Sequence, residues 1–157
     1  IHLHRAKTMR QLAAKQEAPI HVILHDATEA LPFPTNTFDR VLLDAPCSGT
    51  GTLRRNPEIR YRLKSDDIVV LSRQQRAMLS NSADVLRPGG RLIYSTCSVE
   101  RDENEQVLTS FLAENPKFVR IAPPAPEKLL TSEGYVRTWP HLNGCDGFFI
   151  ACFHTRG

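Results

Sequence analysis

Two short aliphatic runs, each followed at once by small and polar residues, limit most strongly what this chain can fold into. The first is FDRVLLD at residues 38–44, which leads into APCSGTG, and the second is RLIYST at residues 91–96, which leads into CSVE. A continuous aliphatic run such as Val41-Leu42-Leu43 is typical of a strand buried on both faces of a parallel sheet. A pattern of helical period lies between the two runs. The sequence therefore predicts a strand–helix–strand unit and an α/β fold.

Other patterns extend this unit in both directions along the chain. They predict helices at residues 3–16, from Asp66 or Asp67 to about Leu86, and at 100–115, strands at 20–24 and 118–121, and a terminal hairpin of residues 135–138 and 147–154. Alternating strands and helices indicate a mainly parallel sheet, to which the hairpin adds an antiparallel strand.

Composition places the chain among ordinary globular proteins. It has 157 residues, 41% hydrophobic and 24% charged, with a net charge of +3. This length suits one domain, and this balance argues against a disordered or fibrous protein. The sequence contains no apolar run of about 20 residues that could cross a bilayer and no pattern of a secretory signal. We therefore expect a cytoplasmic protein without a membrane partner.

The residues after the predicted strands carry the candidate chemistry. Ligands of open α/β sheets bind beyond the carboxyl ends of the strands. If the strands ending at Asp44 and Thr96 are neighbours, Cys47 and Cys97 lie at one edge of the sheet, and Asp26 follows an earlier strand to the same edge. Two thiols and a carboxylate together suggest covalent catalysis, because a thiolate is a strong nucleophile once its pKa is lowered.

Simpler interpretations remain for the cysteines and the glycines. A cysteine at the end of a strand is most often a small buried apolar residue, which is the interpretation we keep for Cys145 and Cys152. No C-x-x-C pair is present, so a metal site has no support. The stretch Gly49-Thr50-Gly51 lacks the lysine of a phosphate-binding loop, and no G-x-G-x-x-G opens a helix, which excludes a nicotinamide-dependent dehydrogenase.

Three blocks of sequence resemble one known family. They are DAPCSGTGTLRRNPEIRYRL at residues 44–63, LRPGGRLIYSTCSVERDENEQV at 86–107 and DGFFIA at 146–151. Together they closely resemble the RNA cytosine-C5 methyltransferases, above all the bacterial type that modifies small-subunit ribosomal RNA. The resemblance implies a Rossmann-like class I methyltransferase sheet, S-adenosylmethionine as the methyl donor and RNA as the partner.

The same resemblance implies roles for individual residues. Cys97 matches the nucleophile that attacks C6 of the target cytosine, and Cys47 matches the second cysteine, which helps to release the product. Asp44 matches the acid that holds or protonates N3 of the ring. Asp26 matches a cofactor-binding acid near the adenine, and Asp44 and Pro46 also belong to the expected cofactor site.

A basic loop follows the first cysteine. Because the target base must leave its stack to reach the sheet edge, the phosphates around it need cationic partners. The candidate RNA-binding residues are Arg54, Arg55, Arg60, Arg62 and Lys64. The competing interpretation is a solvated basic loop with no ligand.

The chain also departs from the family pattern. It lacks the glycine-rich first cofactor motif, and His2 stands near the position of the family's ribose-binding acid. We therefore expect one partial catalytic domain over residues 1–157, with a sheet incomplete at its N-terminus. A truncated chain, a complementing polypeptide or a dimer that covers the exposed sheet edge would each account for this departure.

Two other functions stay open at this point. In a DNA cytosine-C5 methyltransferase, Cys47 would be the nucleophile and the second cysteine block would have no role. In a degenerate fold, the chain would be a non-catalytic RNA-binding module.

Overall fold

A computed structural model describes residues 3–156, so His2 lies outside the described residues. The helices are α1 (Leu3–Lys15), α2 (Ile59–Arg62), α3 (Ser65–Asp84), α4 (Glu105–Glu114) and α5 (Pro140–Asn143). The strands are β1 (Phe38–Asp44), β2 (Leu86–Thr96), β3 (Phe118–Ile121), β4 (Val136–Arg137) and β5 (Phe149–Thr155). Short 3-10 turns occupy Thr50–Thr52, Arg101–Glu103 and Glu127–Leu129.

The strands form one mixed sheet in the order β1-β2-β5-β3, with β4 also paired to β5. β1 and β2 are parallel, and β5 pairs antiparallel with β2, β3 and β4. All strands except β5 therefore point the same way. The α/β fold and the antiparallel strand from a C-terminal hairpin are confirmed, because Val136 and Arg137 pair with Ile150 and Phe149.

The core lies where α3 and α4 pack against each other and α3 packs on β1 and β2. Leu79 of α3, Leu108 of α4, Leu92 of β2 and Phe153 of β5 are all fully buried. Each such side chain contributes about 1.5–3 kcal/mol through its burial. This packing fixes the parallel pair β1–β2 and thereby the two loops that follow it.

Two expectations about the first forty residues need correction or completion. Residues 20–24 were predicted as a strand, but they form no regular structure. A strand needs a hydrogen-bonded neighbour, and the sheet of the described residues has β1 as its edge on this side. The helix predicted at 3–16 is confirmed as α1, yet none of its residues is buried.

β1 is therefore an aliphatic strand with one open side. Leu42 is 66% exposed and Ile23, in the preceding segment, is 55% exposed. An exposed aliphatic edge invites pairing with a further strand.

Two element boundaries also differ from the prediction. The helix expected from Glu100 begins with a 3-10 turn and becomes α-helical only at Glu105. The strand expected from Arg91 begins at Leu86, because Leu86 already pairs with Phe38; the register then shifts, and pairing resumes with Arg91 opposite Arg40. Among residues 3–156, no helix combines the length and apolar character that crossing a bilayer requires.

Candidate active site

The parallel pairing of β1 and β2 brings the two cysteine loops together. Asp44 lies opposite Ser95, and the backbone N–H of Ala45 donates to the carbonyl of Ser95 at 2.9 Å. Both strands leave the sheet just after this pair of residues. The Sγ atoms of Cys47 and Cys97 consequently lie 3.4 Å apart, although fifty residues separate them in sequence. The predicted meeting of the two cysteines is confirmed.

The contact between the two sulfurs separates their acidities. The hydrogen bond from the Cys47 thiol lowers the pKa of Cys97 to about 7. The same hydrogen bond, with burial and the proximity of Cys97, raises the pKa of Cys47 far above its ordinary value. At neutral pH, Cys97 is therefore available as a thiolate, and Cys47 holds its proton as the donor.

A third loop, which contains Gly147 and leads into β5, meets the two cysteine loops at Gly51. The N–H of Gly51 donates to the carbonyl of Cys97 at 3.0 Å, and the carbonyl of Gly51 accepts from the N–H of Gly147 at 2.8 Å. A Cβ atom on Gly51 would overlap the carbonyl oxygen of Gly147. Only glycine permits this approach of the three backbones.

A buried carboxylate beneath the cysteines was missed by the sequence reasoning. Glu103, in the turn before α4, is fully buried. One of its oxygens accepts from the N–H of Ser48 at 2.8 Å and from Nε2 of Gln75 at 3.0 Å. The other accepts from the hydroxyls of Ser48 and Ser98, each at 2.5 Å. From sequence alone, a glutamate ahead of a helix reads as a solvated carboxylate near a helix N-terminus.

A cavity of about 530 Å³ opens where β1 ends and the Cys47 loop begins. Its lining includes the three residues predicted to bind a cofactor, Asp26, Asp44 and Pro46. Hydrogen bonds from the side chain and backbone of Thr28 lower the pKa of Asp26. Asp44 accepts a hydrogen bond from the Ser95 hydroxyl at 2.8 Å. The three predicted residues thus meet at one cavity, and both carboxylates have fixed orientations.

The five basic residues predicted to bind RNA are exposed, but they differ in their partners. Arg55 forms an ion pair with the buried Asp146, so its guanidinium is tied to the third loop. Arg62 lines a second cavity of about 280 Å³ together with Cys47. A basic side chain and the second thiol therefore face the same space.

The remaining two cysteines lie away from this arrangement. Cys152 is buried in β5, as the simpler interpretation predicts. Cys145 is exposed, so that interpretation was wrong for it, because the loop before β5 turns outward after Gly144, which has a positive φ.

Comparison with known proteins identifies the family. The sequence profile of the family described as 16S rRNA methyltransferase RsmB/F matches residues 1–154. The chain belongs to the RsmB/F family. A protein of Bacillus subtilis (strain 168), described as a probable ribosomal RNA small subunit methyltransferase B, is 37% identical over the whole chain, which spans 37% of that relative's length.

Solved structures agree with this assignment. The crystal structure of PH0851 is 36% identical and superimposes with a TM-score of 0.93 over 99% of this chain, which covers 35% of PH0851. NSun6 from Pyrococcus horikoshii, solved with SFG, is 24% identical and superimposes with a TM-score of 0.84 over 99% of this chain, which covers 40% of NSun6. At this identity the similarity supports the fold alone. The predicted Rossmann-like methyltransferase sheet is confirmed.

The RsmB/F family uses S-adenosylmethionine as its methyl donor. The cavity beside Asp26 suits such a group, because sites for ligands of this size have volumes of about 300–1,000 Å³. Its two carboxylates match a ligand with hydroxyl and amino donors and a cationic sulfur. The residues that would hold the cofactor are Asp26, Asp44 and Pro46.

Proposed function

We propose that this chain carries the catalytic centre of an S-adenosylmethionine-dependent cytosine-C5 methyltransferase that acts on ribosomal RNA in the cytoplasm. The observation that carries the proposal is the contact of 3.4 Å between the sulfurs of Cys47 and Cys97, beside a cavity lined by Asp26 and Asp44. Membership of the RsmB/F family supports the substrate class.

Cys97 is the nucleophile in this proposal. C5 of cytosine is a poor nucleophile, and a temporary bond to C6 makes it electron-rich, which divides one difficult step into easier ones. The thiolate of Cys97 attacks C6 and forms the C–S bond, while Asp44 holds or protonates N3. The lowered pKa of Cys97 supplies the thiolate at neutral pH. S-adenosylmethionine, when bound, supplies the methyl group that C5 accepts.

Cys47 acts after methyl transfer. Its pKa is raised first by the hydrogen bond to Cys97, and this cause disappears once the Cys97 sulfur is bonded to carbon. Cys47 then releases its proton to solvent, and its thiolate removes the proton from C5. The electron pair of that C–H bond restores the C5–C6 double bond and expels the Cys97 thiolate, and a proton that Asp44 has given to N3 returns to Asp44. One hydrogen bond thus orders the two roles in time.

The basic loop positions RNA for this chemistry. The exposed side chains of Arg54, Arg60, Arg62 and Lys64 contact phosphates on both sides of the flipped base. Arg55 supports the loop through its ion pair with Asp146, and its remaining N–H donors contact RNA phosphates.

The experiment that tests the proposal is covalent trapping. The full chain is incubated with S-adenosylmethionine and RNA containing 5-fluorocytosine, from which C5 cannot release a proton, and adducts are separated on a denaturing gel. We expect an adduct with the unchanged chain and with Cys47→Ala, and none with Cys97→Ala. Cys145→Ala, which removes an exposed thiol, is the matched control and retains the adduct.

The other outcomes identify the rival functions. An adduct retained by Cys97→Ala and lost with Cys47→Ala assigns the nucleophile of the DNA methyltransferase scheme and overturns the proposal. No adduct with any variant, together with RNA binding by the chain, indicates the non-catalytic RNA-binding module.

A further inference from the structure

The buried carboxylate of Glu103 joins the two cysteine loops by hydrogen bonds to both of them. It accepts four hydrogen bonds, two on each oxygen, and three of them come from Ser48 and Ser98. These serines are the residues that immediately follow Cys47 and Cys97. A change in the position of the carboxylate therefore moves both cysteines.

The loop of Cys47 is also fixed from its other side. Nε2 of Gln75 donates both to Glu103 and to the carbonyl of Pro46, the residue before Cys47, at 2.9 Å. The four donors that contact the side chain of Glu103 are shared equally between its two oxygens, so both oxygens act as acceptors. A neutral amide in the same place cannot satisfy all four donors.

We propose that Glu103 is a positioning residue that holds the Cys47 and Cys97 loops at the spacing at which the thiol of Cys47 donates to the sulfur of Cys97. It touches neither sulfur and acts through Ser48 and Ser98. The inference deepens the proposed function, because it assigns the spacing of the nucleophile and its donor to a residue outside the cysteine motifs.

The negative charge of Glu103 cannot by itself favour the thiolate of Cys97. Cys97 faces the Cys47 thiol, which stabilises its thiolate, and the carboxylates of Asp44 and Glu103, which disfavour it. The charge of Glu103 therefore opposes ionisation of the nucleophile, while its geometry promotes ionisation through Cys47. The two effects have opposite signs, so one measurement separates them.

That measurement is the pH dependence of Cys97 alkylation by iodoacetamide in the full chain carrying Cys145→Ser, followed by mass spectrometry of the Cys97 peptide. In Glu103→Gln, the loops separate and the sulfur–sulfur hydrogen bond is lost. We expect the midpoint to rise from about 7 toward about 8.5, the ordinary value of a cysteine. A midpoint that falls or stays unchanged overturns the inference.

Glu105→Gln is the matched control. It makes the same substitution two residues away and removes an ion pair with Arg137, whose side chain is mostly buried and which belongs to β4 and not to either cysteine loop. We expect it to leave the Cys97 midpoint unchanged. An equal rise in both variants means that any disturbance before or within α4 moves the midpoint, and this overturns a specific role for Glu103.

The serines provide a second route if Glu103→Gln does not fold. Ser48→Ala and Ser98→Ala each remove one hydroxyl donor and leave the carboxylate in place. Each should raise the midpoint by less than Glu103→Gln, and neither should raise it further when Cys47 is alanine. Absence of any rise in both serine variants overturns the inference.

This test needs neither RNA nor cofactor. Failure of the alkylation shift with a successful RNA adduct removes Glu103 from the mechanism and leaves the proposed function intact. A successful shift without an RNA adduct removes the proposed function and leaves the thiol spacing explained.

Discussion

Residues 44–155, the closed region of the molecule, bury their apolar side chains far more completely than residues 3–43, the open region. All the buried apolar residues of the described chain lie at position 45 or later. In the open region, Leu3, Leu12 and Leu42 are each more than half exposed. The cysteine pair belongs to the closed region, whereas the cavity beside Asp26 lies where the two regions meet.

This difference teaches that the thiol pair and the cofactor cavity, both of which the proposed reaction needs, depend on different parts of the structure. The spacing of the thiols depends on hydrogen bonds among residues 46–104 and on the contact of Gly51 with Gly147, all of which lie within the closed region. The cofactor cavity depends in part on Asp26, in a segment with exposed apolar neighbours. Thiol reactivity and cofactor affinity should therefore respond to different substitutions.

The largest expected effect is on stability. Leu79→Ala removes a fully buried side chain of α3, and we expect a loss of about 2–5 kcal/mol in the free energy of unfolding. Leu12→Ala in the exposed α1 should change it by less than about 0.5 kcal/mol. Urea unfolding followed by circular dichroism measures both. Equal losses in the two variants would contradict the difference in packing between the closed and open regions.

The second effect concerns the thiol pair. Cys47→Ala removes the donor that lowers the pKa of Cys97, so the midpoint of Cys97 alkylation should rise from about 7 toward about 8.5. At pH 7 the thiolate fraction falls, because a higher pKa leaves more of the thiol protonated. The same pH series on Asp26→Asn should give the unchanged midpoint. A shifted midpoint of Cys97 alkylation in Asp26→Asn would show that the closed and open regions are coupled.

The third effect concerns the cavity. Asp26→Asn removes a carboxylate that would hold the cofactor, and we expect binding of S-adenosylmethionine to weaken about tenfold, or about 1.4 kcal/mol. Isothermal titration calorimetry measures this change, with Asp39→Asn on the exposed part of β1 as the control. Unchanged affinity in Asp26→Asn would remove Asp26 from the cofactor site.

The smallest effect on folding is expected at the sheet edge. Leu42→Lys places a charge on the exposed side of β1 and should change the free energy of unfolding by less than about 0.5 kcal/mol. It should reduce self-association, because charged edge strands resist pairing with other strands. Analytical ultracentrifugation at several concentrations tests this. Stronger self-association in Leu42→Lys would contradict the prediction.

The sequence predicted what local patterns encode. The strands ending at Asp44 and Thr96 and the meeting of Cys47 with Cys97 were predictable, because aliphatic runs and their polar ends are local signals. The strand at residues 20–24 was not formed, because pairing depends on a neighbour that a local pattern cannot reveal.

Long-range polar contacts were invisible to the same reasoning. Glu103 resembles any acidic residue before a helix until the fold buries it against Ser48 and Gln75. Arg55 reads as one of several solvated cations, yet its partner Asp146 lies far along the chain. Burial of a charge is decided by tertiary packing, so composition and spacing give no sign of it.

The junction of Gly51 with Gly147 has a consequence for how the chain can be shortened. The backbone of Gly147 holds the Cys47 loop, and β5, which follows directly, lies between β2 and β3 in the sheet. A polypeptide that stops ahead of Gly147 retains every cysteine named in the reaction, but it loses the last brace on their loops and the strand that fills the middle of the sheet. During synthesis, the two sulfurs can therefore be held at their observed spacing only after Gly147 and β5 have been added to the chain.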